Sequence, residues 1–139
     1  MKGERAMKTN FFCPKCQGYL SVADKVVFAI KKKGLDGGLL LLSPNLGEYT
    51  YEYHPSIELI EGEEIDFFCP MCGYDLTLEG VKKLARVKMQ IDDKETFWVV
   101  FSKKKGERCT YKISDGGEKE SFGEHSGLNI DILSINLLK

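Results

Sequence analysis

Cys13-Pro14-Lys15-Cys16 and Cys69-Pro70-Met71-Cys72 are two C-x-x-C pairs. Each lies inside a near-duplicate line, FFCPKCQGYL from Phe11 and FFCPMCGYDL from Phe67. Two such pairs supply four thiolates, which complete the tetrahedral shell of a structural zinc site with Zn–S distances near ~2.3 Å. The two-residue spacing makes a tight turn that aims both sulfurs at one point. Proline at the second position fixes φ and removes an N–H that the turn does not need. The amides after the first cysteine are then free to point at its sulfur. Those dipoles matter, because four thiolates around Zn²⁺ carry a formal charge of about −2. The predicted ligands are Cys13, Cys16, Cys69 and Cys72, and the predicted metal is zinc, with iron as the alternative for the same S₄ shell. Gly73, directly after Cys72, suits a left-handed backbone position. The equivalent residue of the first pair is Gln17, so either Gln17 takes that strained position or the first turn differs. If either half is loose or exposed, it is expected to be this first one.

With these residues in view, each line resembles a zinc-ribbon or rubredoxin-type knuckle, and Phe67–Tyr74 matches the pattern best. The resemblance implies that each knuckle sits at the tip of a hairpin and that the two face each other across the metal. It covers about ten residues at each end of 8–80. It implies membership of a bacterial family with this Cys₄ site, while 81–139 carries no family pattern of its own.

The elements that must position the knuckles read as strands. Lys25–Lys33 is β-branched and apolar, and with Leu39–Ser43 it forms a predicted hairpin about the Asp36-Gly37-Gly38 turn. Glu48–Tyr53 alternates with period two, and Ile65–Phe68 leads into the second pair. Farther on, Leu84–Ile91, Thr96–Ser102 and Arg108–Ser114 read as an antiparallel meander. In it Ala85, Val87, Met89 and Ile91 share one face, and Cys109, Tyr111 and Ile113 fall together. Leu78–Leu84 is a candidate helical turn, and Leu128–Leu138 fits strand or helix. No βαβ alternation appears. The expected fold is mostly β: a Cys₄ zinc ribbon over 8–80 with an inserted antiparallel sheet, followed over 81–139 by a β-meander and a C-terminal segment, packed as one domain.

Composition narrows the function. The chain has 139 residues, enough for an ordinary core, and balances 20 Lys+Arg against 21 Asp+Glu. Four thiolates and one Zn²⁺ take the net charge from −1 to about −3, which does not favour nucleic acid. Lys31-Lys32-Lys33 and Lys103-Lys104-Lys105 form a phosphate-binding patch only if the acids segregate elsewhere. Otherwise they guard turns and edges. The opening MKGERAMKTN has no apolar core of a secretory signal, and the longest apolar run is Leu39–Leu42. A cytoplasmic, non-membrane protein is expected, where paired cysteines hold metal rather than disulfides.

Tyr49, Tyr51 and Tyr53 form a stripe read as packing rather than base stacking. His54 reads as a loop residue, and Cys109 as an apolar core residue rather than as a thiol paired with His125. Neither a phosphate loop nor a nucleophile elbow nor H-E-x-x-H is present, so no catalytic residue is expected. The reading is a non-enzymatic zinc protein that binds an unknown protein partner. The alternatives are a nucleic-acid-associated ribbon and a rubredoxin-like iron electron carrier.

Overall fold

The computed structural model describes residues 9–32, 37–55, 57–92 and 94–125. Ten strands account for the regular structure of these residues: β1 (Thr9–Phe12), β2 (Ser21–Val22), β3 (Lys25–Lys32), β4 (Gly38–Leu42), β5 (Tyr51–Tyr53), β6 (Ile65–Phe68), β7 (Leu84–Ile91), β8 (Glu95–Ser102), β9 (Thr110–Ser114) and β10 (Lys119–Phe122). No helix occurs among the described residues, so Leu78–Leu84 is not helical. Instead, the amide of Leu78 donates to the carbonyl of Leu84 at 2.8 Å, and the segment closes as a loop over β7. The predicted tail Leu128–Leu138 lies outside the described residues, as does Lys33.

Two antiparallel sheets result. One runs β1-β7-β8-β9-β10. The other runs β2-β3-β4-β5, with β6 paired to β3. The meander is present as β7-β8-β9 and gains β10 at one edge and β1 at the other. The pairing of β1 with β7 sets Phe11 opposite Met89, and that of β6 with β3 sets Phe67 opposite Ile30. The strand that enters one knuckle thus pairs with the strand that follows the other. Residues of 8–80 and 81–139 consequently share one core.

Alternation puts Phe28, Ile30, Phe67, Val87, Met89 and Val99 between the sheets. The next residue along β8, Val100, faces the other way. It joins Leu78, Val81, Leu84, Cys109, Tyr111 and Ile113 in a second buried cluster. The meander is therefore apolar on both faces over β8, whereas β9 turns Thr110, Lys112 and Ser114 to one face and Tyr111 and Ile113 to the other. Polar residues keep one face of β7, where Arg86 and Lys88 stack on the Trp98 ring from 4.1 and 4.7 Å.

Two expectations about surface residues change. The tyrosine strand is shorter than predicted, and Tyr49 lies outside it. Its hydroxyl shares a 2.7 Å hydrogen bond with Thr110 and donates to the Phe122 carbonyl, tying the β5 approach to the other sheet. Tyr51 and Tyr53 remain a packed pair, with ring centroids 6.1 Å apart, against the core.

Lys103 is not a solvated turn residue. It is buried, with its ammonium 2.7 Å from Asp66 and donating to the Thr77 hydroxyl at 2.9 Å. Its long stem can be covered because the charged end has partners. Removing one partner of a buried charge costs more than removing the charge itself. Asp66→Ala is expected to destabilise the protein by about 2 kcal/mol in urea unfolding, and Lys103→Met by less. Equal losses would mean that leaving the ammonium unpaired costs no more than removing it.

Candidate metal centre

Each knuckle is built by the same backbone bonds. In the first, the amide of Cys13 donates to the Gly18 carbonyl at 3.0 Å, that of Gln17 to the Cys13 carbonyl at 3.0 Å, and that of Leu20 to Phe11 at 2.7 Å. In the second, Cys69 donates to Tyr74 at 3.0 Å, Gly73 to Cys69 at 2.9 Å, and Leu76 to Phe67 at 3.0 Å. The duplicated sequence therefore codes a duplicated turn. Beyond each turn the return arm pairs onward: Ser21 and Val22 with β3, and Thr77 with Ala85 of β7. Each knuckle thus passes the chain from one sheet to the other, in opposite directions.

The turns bring all four sulfurs within 4.8 Å of one another. Across the pair of knuckles, Cys13 Sγ lies 3.8 Å from Cys72 Sγ, and Cys16 Sγ 3.8 Å from Cys69 Sγ. A tetrahedron with a metal–sulfur distance of about 2.3 Å has edges of about 3.8 Å, so the four residues fit one ion. A disulfide needs a sulfur separation near ~2.05 Å, and all four cysteines are free.

Amides converge on the sulfurs as the proline turn requires. Lys15 donates to Cys13 Sγ at 3.3 Å and Met71 to Cys69 Sγ at 3.4 Å, while Gly18 donates to Cys16 Sγ at 3.3 Å. The Tyr74 amide is the largest influence on Cys72 and holds that thiol below its ordinary range. Burial acts the other way on the inner ligands. It pushes Cys13 up to about 12 and raises Cys69 too. Without a cation the inner thiols keep their protons, so a metal must displace them.

The inner cysteine of each pair, Cys13 and Cys69, is buried, and the outer one, Cys16 and Cys72, is exposed. The first knuckle is therefore no more exposed than the second, and neither half is the looser by burial. The physical reason is that Gln17 adopts the left-handed conformation at φ 63°, matching Gly73 at φ 79°. Its side-chain amide donates to the Pro14 carbonyl at 3.2 Å. Left-handed backbone costs a non-glycine residue about 1–2 kcal/mol. Gln17→Gly is expected to stabilise the metal-loaded protein by about 1 kcal/mol in chemical denaturation, after the loss of the amide bond and the greater freedom of unfolded glycine.

Sequence reasoning missed the contacts between the knuckles. The Lys15 ammonium sits 5.6 Å over the Tyr74 ring. The Met71 methyl lies against Gly18 so closely that a β-carbon there would collide with it. Lys15 and Met71 occupy equivalent places in the two lines, as do Gly18 and Tyr74. Each knuckle therefore reaches across the site to the same position of its counterpart. Aligning the two lines exposes these equivalent positions, but only the fold shows that they meet.

The weaker candidates stay apart from this centre. Cys109 is fully buried in the second cluster. His125 accepts the Arg108 amide at Nδ1 at 2.9 Å. His54 is exposed in the loop after β5. Among the described residues no helix is long and apolar enough to cross a membrane. Comparison of the chain with known protein families, curated proteins and solved structures returned no match. The metal site therefore rests on the four cysteines and their geometry.

Proposed function

We propose that Cys13, Cys16, Cys69 and Cys72 hold one structural zinc ion and that the protein is a non-enzymatic module that binds another protein. The observation that carries this reading is the pair of opposed knuckles, each joining one sheet to the other across the same four sulfurs. An ion there ties both crossing points at once. Four cysteines also close the shell, leaving no position for a substrate or an activated water. Thiols kept for metal suit a reducing compartment such as the cytoplasm.

A protein partner is favoured by the surface. Met71 beside the exposed sulfurs, together with Tyr19 and Val22 on the return arm of the first knuckle, is more than half exposed. Nucleic acid is disfavoured by the fate of the lysine runs. Lys103 is engaged by Asp66 and Lys105 by Glu61 at 2.8 Å. Lys32 lies 3.1 Å from Glu63 and donates to the Glu58 carbonyl. Among the described lysines of the two runs, this leaves Lys31 and Lys104 to neutralise phosphates.

Elemental analysis of the purified protein tests the metal. One zinc per chain is expected, whereas a red protein with one iron would replace zinc by the electron-carrier reading. Capture from native lysate tests the partner. A protein retained by the loaded chain, and lost on metal removal and with Met71→Glu, is the expected result. Salt-sensitive binding of RNA or DNA in its place would overturn the protein-partner reading.

A further inference from the structure

The two sheets do not close completely. A cavity of about 260 Å³ opens between β4–β5 on one side and β8 with the 103–110 segment on the other. Phe28, Leu40, Leu42, Phe67, Val99 and Phe101 form its apolar wall. An apolar cavity of about 150 Å³ admits benzene, so this one has room for a molecule of about ten non-hydrogen atoms.

The polar groups lie at the rim. Its carboxylates already have donors: Glu61 faces Lys105 at 2.8 Å, Glu107 accepts from the Ser102 hydroxyl at 2.6 Å, and Glu48 accepts from Asn45 at 3.3 Å. Its cations are less committed. Among the described residues Arg108 pairs with the more than half-exposed Glu124, at 3.9 Å, and lies 5.8 Å over the Tyr49 ring, yet is itself 58 % exposed. Lys104 is exposed and makes no ion pair among the described residues. The rim therefore favours an incoming anion over an incoming cation.

We propose that this cavity binds a small apolar monocarboxylate, with its chain between the sheets and its carboxylate at Arg108 and Lys104. The apolar wall supplies the affinity and the rim the preference for charge, the usual division in small-molecule sites. The site is separate from the thiol cluster and serves a bound ligand rather than the metal.

Calorimetric titration of the metal-loaded protein with octanoate and with octan-1-ol tests it. Both are expected to bind, octanoate at least about tenfold more tightly. Arg108→Gln with Lys104→Gln should abolish that difference and leave octan-1-ol binding unchanged. Val99→Phe fills the cavity and should weaken both ligands at least about tenfold with the metal content and melting temperature retained. Leu42→Phe is the second filling variant should the first fail to fold. No binding of either ligand at about 1 mM would overturn the proposal. So would a folded filling variant that binds as the unaltered protein does, or octanoate binding no tighter than octan-1-ol.

Discussion

Replacing Cys69 by serine is expected to remove the metal and, with it, the cooperative unfolding transition. Structural zinc in small domains contributes an apparent ~10–16 kcal/mol, against a typical total stability of ~5–15 kcal/mol. Cys69 is a buried member of the four-sulfur cluster, and its sulfur receives the amides of Met71 and Cys72. A serine hydroxyl is a poor ligand for a thiophilic ion, and the three remaining thiols leave the tetrahedral shell incomplete. The loss should reach both sheets, because the second knuckle connects β6 of one to β7 of the other. Hydrogen exchange should report it in β3 and in β7 alike. A Cys69→Ser chain that kept one metal and an unchanged melting curve would refute the assignment.

Lowering the pH is expected to strip the metal over a narrow range. Each protonated thiol that binds must give up its proton, so the apparent affinity falls with pH in proportion to the number released. Burial holds the Cys13 thiol up to about 12 and raises Cys69, so both are protonated at neutral pH in the metal-free fold. Cys72 is lowered by the Tyr74 amide and releases less. Three to four protons per ion give a loss of about 10³ to 10⁴ in affinity for each pH unit below neutrality. The sign follows from the bound state. The metal keeps the thiolates ionised well below their free values, so these groups act as acids with depressed pKa. Their stabilisation is present at high pH and lost as pH falls. Chelator competition across pH measures the slope, and an indicator dye counts the protons. A slope of one proton or fewer would contradict ligation by four thiols.

Much of this architecture is legible along the chain wherever one residue type or a short period carries the signal. The four-cysteine cluster declares itself because two C-x-x-C pairs supply four sulfurs at the spacing of one S₄ shell. β7 declares itself because alternation places Val87 and Met89 on a buried face, and β3 and β8 because their residues are β-branched, apolar or aromatic. What escapes is set by distant partners. Nothing near Phe11 announces Met89, since register between remote strands leaves no local trace. Lys103 reads as a surface residue until Asp66 and Thr77 arrive from either side of the second knuckle. Gln17 is the instructive case. Its propensity argues against a left-handed turn, yet the bonds of Cys13 to Gly18 and of Leu20 to Phe11 impose one.

The crossed pairing of β1 with β7 has a kinetic side. Thr9 and Ile91 are partners separated by roughly eighty residues, a long loop for an unfolded chain to close. An ion that gathers both cysteine pairs before the sheets form cuts that path to roughly two dozen residues, because the chain from Cys13 to Cys72 is bypassed. The same clamp shortens the search for β3 by β6. In this topology a bound ion would order the sequence of folding events as well as the finished fold, and a chain that met its ion early would begin with its most distant strands already neighbours.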